Sequence, residues 1–455
     1  MYDKIIRNGH IVTHSDVFEA DLAIEDGKIA AIGQNLGEAK ETIDAEGKFV
    51  MPGCIDPHVH MGIFLDYEGD VKSETAAAAA GGTTTIIQYL IGKESQEEVY
   101  NTMKAPISKL ASCDVAFHGV LLFDSHLDEI EKMAGLGVHS NKFLMAYKGK
   151  AGEQIGLQGV NIDSGFLYKA FEKMKAIGGI PMIHAEHIEL VFAVEEKFKD
   201  QNTLKTWADA RPNAAEEIDL YIGCRLAEEV GCPIYQVHSS IGNAADIASE
   251  FRQRGNKVYV ETCPHYLVTN YYGENLESPL LGKINPPIRS PQDQENIWKG
   301  VINGRLDTIG TDSANNMYKD KWADGNIWNM QLDYSSVEYL LPLLLSEGVN
   351  KGRLSLTDVV RMTSYNTSKI FGLYPRKGIM AIGADADLVI VDLEKKKTVK
   401  ASERHSISDY SLYEGWEIKG LPVRTIIRGQ NVVENEKLVA EPGLGQFVPT
   451  EPAHK

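Results

Sequence analysis

Pro52-Gly53-Cys54-Ile55-Asp56-Pro57-His58-Val59-His60 is a short apolar run that ends in two histidines two residues apart. On a strand, residues i and i+2 project to the same side, so His58 and His60 face one way and can hold one ion. Runs of similar length follow at 83–90, 115–122, 140–147, 179–186, 233–240, 257–264 and 308–314, making eight with 53–60. Longer stretches of helical period separate most of them, for example 164–177, 214–230 and 244–253. Buried parallel strands read as near-continuous apolar runs, and parallel pairing needs crossover helices. Eight strand-then-helix units predict an α/β fold, a (β/α)8 TIM barrel over residues 53–377, with a doubly wound sheet as the competing architecture.

On either side of that segment the texture changes. Residues 1–52 alternate apolar and polar side chains in short runs broken by glycine, as in Lys4-Ile5-Ile6-Arg7-Asn8-Gly9 and Lys28-Ile29-Ala30-Ala31-Ile32-Gly33. The same pattern returns after residue 378, in Ala386-Asp387-Leu388-Val389-Ile390-Val391-Asp392 and Val423-Arg424-Thr425-Ile426-Ile427-Arg428. This is hairpin chemistry, and neither flank has enough strands to close a core alone. The two flanks, 1–52 and 378–455, are therefore expected to pair into one small β-sandwich domain.

Composition narrows the function. The 455 residues are 43% hydrophobic and 24% charged, as in an ordinary soluble domain. A net charge of −18 repels phosphate backbones and anionic lipid, so neither nucleic acid nor a membrane is an expected partner. The N-terminal residues carry charges where a signal peptide needs its apolar run, and the aliphatic stretch around 340–345 is too short to span a bilayer. A cytoplasmic protein is expected. Five cysteines without a CxxC spacing suggest neither a disulfide framework nor a cysteine zinc site, and read as small buried apolar residues.

Four of the 13 histidines stand at or near the C-terminal ends of strand candidates: His58 and His60 on the first, His184 on the fifth, His238 on the sixth. A barrel gathers its active site at that face, so these residues converge although they are remote in sequence. The eighth run ends Gly310-Thr311-Asp312-Ser313, which puts a carboxylate at the same mouth. Asp312 there serves a metal or a proton transfer, or else caps a turn. The fourth run contains Lys142, and a lysine in a barrel strand has two ways to avoid being buried as a bare cation. It reaches solvent from the flank, or its amine reacts with carbon dioxide to give an anionic carbamate that ligates divalent metals.

Taken together, 52–60, Gly81-Gly82-Thr83-Thr84-Thr85, 142–147, His184-Ala185-Glu186, Glu261-Thr262-Cys263-Pro264, Gly310-Thr311-Asp312 and Gly383-Ala384-Asp385-Ala386-Asp387-Leu388 resemble the cyclic amidohydrolases of the dihydropyrimidinase and hydantoinase group. The resemblance runs nearly end to end. It implies two divalent ions, zinc most commonly or manganese, bridged by a carboxylated Lys142 (N6-carboxylysine) and a hydroxide. His58, His60 and Asp312 would hold the first ion, and His184 and His238 the second. Tyr147 would point its phenol at the substrate carbonyl, and the segment around Asn285 would hold the ring amide. Asp312 would take a proton from the attacking hydroxide and return it to the departing nitrogen. The implied reaction opens a dihydropyrimidine or 5-substituted hydantoin to an N-carbamoyl amino acid, in a homotetramer or homodimer.

Departures from the group's pattern fall on the substrate side. Ser313 replaces a usual histidine, and Asn285-Pro286-Pro287-Ile288-Arg289 is closer to dihydroorotases. Gln331-Leu332-Asp333-Tyr334-Ser335-Ser336-Val337-Glu338 stands where the group presents a substrate-binding Asn loop. The loop Met61-Gly62-Ile63-Phe64-Leu65-Asp66-Tyr67 either lines a pocket for a ring substituent or packs on itself. Alternative rings are dihydroorotate, with Arg289 as the cation for its carboxylate, allantoin, or an oxidised purine such as xanthine. A non-catalytic scaffold relative and a mononuclear deaminase are the rival classes. His187 reads as a helix-start residue or an extra pocket group.

Overall fold

The computed structural model describes residues 1–149, 153 and 158–454. Two sheets organise it. Strands β1 (Tyr2–Val12), β2 (Val17–Glu25), β3 (Lys28–Gly33), β4 (Ala39–Asp44) and β5 (Phe49–Pro52) come from the N-terminal flank. The first sheet is completed by β14 (Leu388–Thr398), β15 (Glu417–Ile427), β16 (Gln430–Glu434) and β17 (Lys437–Leu438), in the order β17-β16-β15-β14-β5-β1-β2-β3 with β4 also on β1. The join between the flanks is the antiparallel β5–β14 pair, Val50 opposite Ile390 and Leu388 opposite Pro52. Its core draws on both ends of the chain: Ile6, Ile11, Leu22, Ile24 and Val50 pack with Leu388, Ile390 and Ile426.

The second sheet contains β6 (Cys54–Val59), β7 (Thr83–Leu90), β8 (Asp114–Val120), β9 (Ser140–Leu144), β10 (Ile180–His184), β11 (Ile234–Gln236), β12 (Val258–Thr262) and β13 (Thr308–Ile309), all parallel and in sequence order. Its edges meet at the mouth, where His60 N donates to Ser313 O (2.8 Å) and Ser313 N to His58 O (3.3 Å). The expected TIM barrel is therefore the fold, with helices on its outside. The helix Ser164–Ala176 shows why: Asp163 caps it by accepting from Phe166 N, and Phe166, Phe171 and Met174 turn inward, where each contributes about 1.5–3 kcal/mol of burial. The alanine run 76–80 belongs to the buried helix Tyr67–Ala80, which lies between barrel and first sheet. Small side chains let Thr425 Oγ1 of β15 reach Ala79 O at 2.7 Å.

Several strands stop two or more residues short of their expected ends at the mouth, while their opposite ends differ from expectation by one residue at most. β9 ends at Leu144, where a turn redirects Tyr147, whose N donates to Leu144 O (2.8 Å). β11 and β13 end before His238 (φ 37°) and Asp312 (φ 52°), whose left-handed backbones break the ladder. In β6 the register with β7 shifts between Asp56 and Val59, around Pro57, which has no N–H to donate. At the opposite end, Lys377 lies buried between Asp114 Oδ2 (2.7 Å) and Asp387 Oδ2 (2.5 Å), joining the barrel floor to the first sheet. All five cysteines are free and buried. Among the described residues no helix is long and apolar enough to cross a membrane.

Candidate metal centre

The six singled-out side chains come from five strands of the barrel, the two histidines of the first run sharing one. His58 lies on β6 with His60 just beyond it, Lys142 on β9, and His184 closes β10. His238 and Asp312 follow β11 and β13. Their polar atoms converge. Asp312 Oδ1 is 3.0 Å from His58 Nε2 and 3.4 Å from His60 Nε2. The ligand atoms of these three residues lie within 4.8 Å of one another. Lys142 Nζ is 2.9 Å from His58 Nε2 and 3.5 Å from His60 Nε2. Beside them His184 Nδ1 and His238 Nε2 stand 2.8 Å apart, and the His238 ring centroid is 5.1 Å from that of His58. Imidazole nitrogens with a carboxylate oxygen form a donor set that suits a borderline divalent ion.

Lys142 is 2% exposed, so it does not reach solvent from the flank. Burial pushes its ammonium down, which favours the neutral amine. Its Nζ lies 4.4 Å from the centre of the Tyr89 ring, on which His60 also stacks. Burial, with Lys142 second, lowers His60 to about 3. Burial alone would raise Asp312, but His58 and His238 outweigh it and hold the carboxyl well below the usual range.

Three residues without an assigned role in the sequence reading shape this cluster. Glu261 Oε1 lies 2.6 Å from His58 Nδ1 and accepts from His238 N (2.8 Å), while Oε2 accepts from Tyr235 OH (2.7 Å). That arrangement keeps the His58 proton on Nδ1 and leaves Nε2 for an ion. Asp56 Oδ1 accepts from His58 N and Thr311 N, both 3.0 Å, tying the first strand to the eighth. Gly310 passes so close that a Cβ there would sit 2.9 Å from His58 Cβ and 3.0 Å from Glu261 Oε2. An acidic residue inside the apolar run 257–264 was the available signal for Glu261, the same kind of clue that singled out Lys142.

Burial raises the Tyr147 phenol, and the carboxylates of Asp333, Glu186 and Asp312 add to it, so the phenol keeps its proton. Asn285 is half-buried, and its Oδ1 accepts from Trp207 Nε1 at 3.2 Å. Arg211 stacks on Trp207 (3.5 Å to the ring centre) and pairs with Glu186 (3.4 Å). Lys283 donates to Met330 O (2.5 Å). Arg289 is buried and engaged: it donates to Ser240 Oγ (2.9 Å), Glu216 Oε2 (3.4 Å) and Arg211 O. Ser313 Oγ accepts from Ser336 N (2.9 Å) and Val337 N (3.3 Å), anchoring the 331–338 loop. His187 precedes the helix Ile188–Glu195 and bonds Asp219 at 2.8 Å, so it is a helix-start residue. In the loop after His60, Gly62 N donates to Asp70 Oδ2 (2.8 Å), Phe64 and Leu65 are half-buried and Ile63 is exposed.

Comparison with known proteins adds an independent line. The sequence pattern of the amidohydrolase family matches residues 49–432. The D-hydantoinase of Geobacillus stearothermophilus is 36% identical over 98% of this chain and 96% of its own. The L-hydantoinase of Paenarthrobacter aurescens is 33% identical over 98% of both. A crystal structure of D-hydantoinase superposes with a TM-score of 0.91 at 35% identity, covering 99% of this chain and 100% of that one.

Proposed function

Because this chain belongs to the amidohydrolase family, we propose that it hydrolyses a C–N bond of a cyclic amide, opening a dihydropyrimidine or 5-substituted hydantoin ring to an N-carbamoyl amino acid. The observation that carries this reading is the meeting of His58, His60, Asp312 and Lys142 around one point. Relatives named for opposite hands of hydantoin support the reaction without fixing the enantiomer.

In this proposal His58, His60 and Asp312 hold one divalent ion, zinc or manganese, and His184 and His238 a second. Lys142 joins them as a carbamate: its neutral amine adds to carbon dioxide, a C–N bond forms and a proton leaves. The depressed ammonium supports that step, since only the free amine is nucleophilic. Bound metal supplies a lowered pKa for the attacking water and polarises the amide carbonyl. Asp312 accepts the water's proton and passes it to the departing ring nitrogen, general acid–base help worth about 10²–10⁴ in rate. Tyr147 keeps its proton and donates to the oxygen that gains negative charge; one such donor is worth about 10²–10³ in kcat. Glu261 orients His58.

A neutral ring is favoured over dihydroorotate. Arg289, the cation that a ring carboxylate would need, is spent on Glu216, Ser240 and a backbone carbonyl.

The test is metal analysis of protein grown with bicarbonate, with turnover of dihydrouracil, hydantoin, phenylhydantoin, dihydroorotate, allantoin and xanthine. Lys142→Ala should lose both metal and activity. A variant that keeps both defeats the binuclear reading, a metal-free wild type favours a scaffold, and turnover of dihydroorotate alone overturns the substrate class.

A further inference from the structure

Lys142 reaches the candidate metal centre on a long, flexible stem, so its strand alone does not fix where the amine ends. Two imidazoles stand beside Nζ, His58 Nε2 at 2.9 Å and His60 Nε2 at 3.5 Å. The ring of Tyr89, its centre 4.4 Å from Nζ, supplies a third contact. The same ring carries both imidazoles. His60 stacks on it, with 4.6 Å between centres and 20° between planes, and His58 lies tilted against it at 4.8 Å. One side chain thus touches His58, His60 and Lys142 together.

Tyr89 is itself held in place. It lies on β7 opposite His118 on β8, and the two rings pack 5.0 Å apart. His118 is bonded at both ring nitrogens, to Ser140 Oγ on β9 (2.5 Å) and to Pro57 O on β6 (3.1 Å), so neighbouring strands on both sides brace the pair. Tyr89 is fully buried, and its hydroxyl has no hydrogen-bond partner among the described residues. Its contacts with the cluster are those of the aromatic ring, and a phenylalanine would keep all of them. Non-bonded contacts between heavy atoms run to about 3.5–4.0 Å, so a separation of 4.4 Å leaves no room for a further atom between Nζ and the ring.

We propose that Tyr89 is a positioning residue for the carboxylation of Lys142: its ring closes one approach to the amine and turns the carbamate away from itself, where it can bridge the two ions. In that step the amine lone pair forms a C–N bond to carbon dioxide and one N–H proton passes to water. The N–H that remains faces the ring, a weak but directional contact. Tyr89 acts through Lys142 and His60 and needs no contact with substrate. This inference rests on the carbamate reading above.

The experiment compares two variants without a ring, Tyr89→Met and Tyr89→Leu, with Tyr89→Phe. A packing control is Phe117→Leu, which removes core volume on the opposite face of β8, where Phe117 meets Tyr100 and Phe447. Each protein is produced with zinc in isotopically labelled bicarbonate. Carbon NMR reads the carbamate, with Lys142→Ala as the blank; chelator titration reads metal retention, and a thermal melt reads the fold. Tyr89→Phe should match the wild type in both carbamate and metal. Tyr89→Met and Tyr89→Leu should hold zinc about 10- to 100-fold more weakly, the range for residues that orient a metal ligand, with the carbamate signal falling in step. Phe117→Leu should lower the melting temperature and keep carbamate and metal. Ringless variants that label and load as the wild type does overturn the assignment, and so does a Tyr89→Phe that loses as much as they do. Equal losses in Phe117→Leu for an equal fall in melting temperature reduce the effect to packing and overturn it too. A wild type that binds zinc with no carbamate signal above the Lys142→Ala blank rejects the carbamate reading itself, and this inference with it.

Discussion

Gly310→Ala is the smallest change that reaches the candidate metal centre without removing a ligand. The new Cβ would lie 2.9 Å from His58 Cβ, and 3.0 Å from both Glu261 Cδ and Oε2. Relaxed carbon contacts are about 3.5–4.0 Å, so the groups must separate by about 0.5–1 Å. Neither neighbour yields readily. His58 Cβ is the root of its side chain, and the Glu261 carboxylate is pinned by His58 Nδ1 (2.6 Å), His238 N (2.8 Å) and Tyr235 OH (2.7 Å). Overpacking of this kind costs about 1–3 kcal/mol, a loss of a few degrees in Tm for a chain of this size. The functional loss should be larger. Displacing His58 by most of an ångström is worth about 100-fold in rate, and disturbing its orienting carboxylate about 10- to 100-fold in metal affinity. The assay is metal retained against a graded chelator, with kcat/KM on the best cyclic amide and a thermal melt. Gly135→Ala is the control, since a Cβ there meets nothing within 4 Å at the end of the helix Ile130–Gly135. Wild-type metal retention and kcat/KM in Gly310→Ala, with a normal melt, would refute the claim that this contact sets the position of His58.

Two further outcomes follow from the same geometry. Glu261→Gln should keep the fold but hold metal about 10- to 100-fold more weakly, because the amide no longer fixes the His58 tautomer with a charge; chelator titration reads this. Asp70 is 1% exposed, and burial raises its carboxyl to about 6. A raised folded value gives stability that is fully present below the unfolded value near 3.8 and is lost as pH rises through about 6. Relative to Asp70→Asn, the wild type should therefore gain about 2 kcal/mol on going from pH 7 to pH 4, measured by urea unfolding. A pH-independent difference between the two proteins would contradict the buried-carboxyl account.

The barrel was legible in the sequence because its signal is local. Eight apolar runs of strand length, separated by helical period, need no knowledge of partners, and the flanking hairpin texture identified the sheet built from both ends of the chain in the same way. What periodicity missed was where the strands stop. A run such as 308–314 reads as one strand, yet its regular ladder ends at Ile309, and after the left-handed Asp312 only a single bridge, Ser313 to Val59, continues the pairing. Hydrophobic pattern reports burial, and these residues are buried whether or not they are paired.

The candidate site divides along a similar line. His58, His60, His184, His238, Asp312 and Lys142 stood out because each is a residue type that an apolar strand end does not ordinarily bear. Glu261 met the same criterion but drew no role, since its meaning lies in a 2.6 Å contact with a histidine 203 positions away. Gly310 could not be found that way at all. A glycine is informative only once something is known to pass within about 3 Å of where its Cβ would be. In this protein the chemistry is carried by unusual residue types, which sequence reveals. Its tuning is carried by ordinary residue types in unusual places, so differences in ring preference among relatives about one-third identical to this chain should trace to loops such as 331–338 rather than to the histidines.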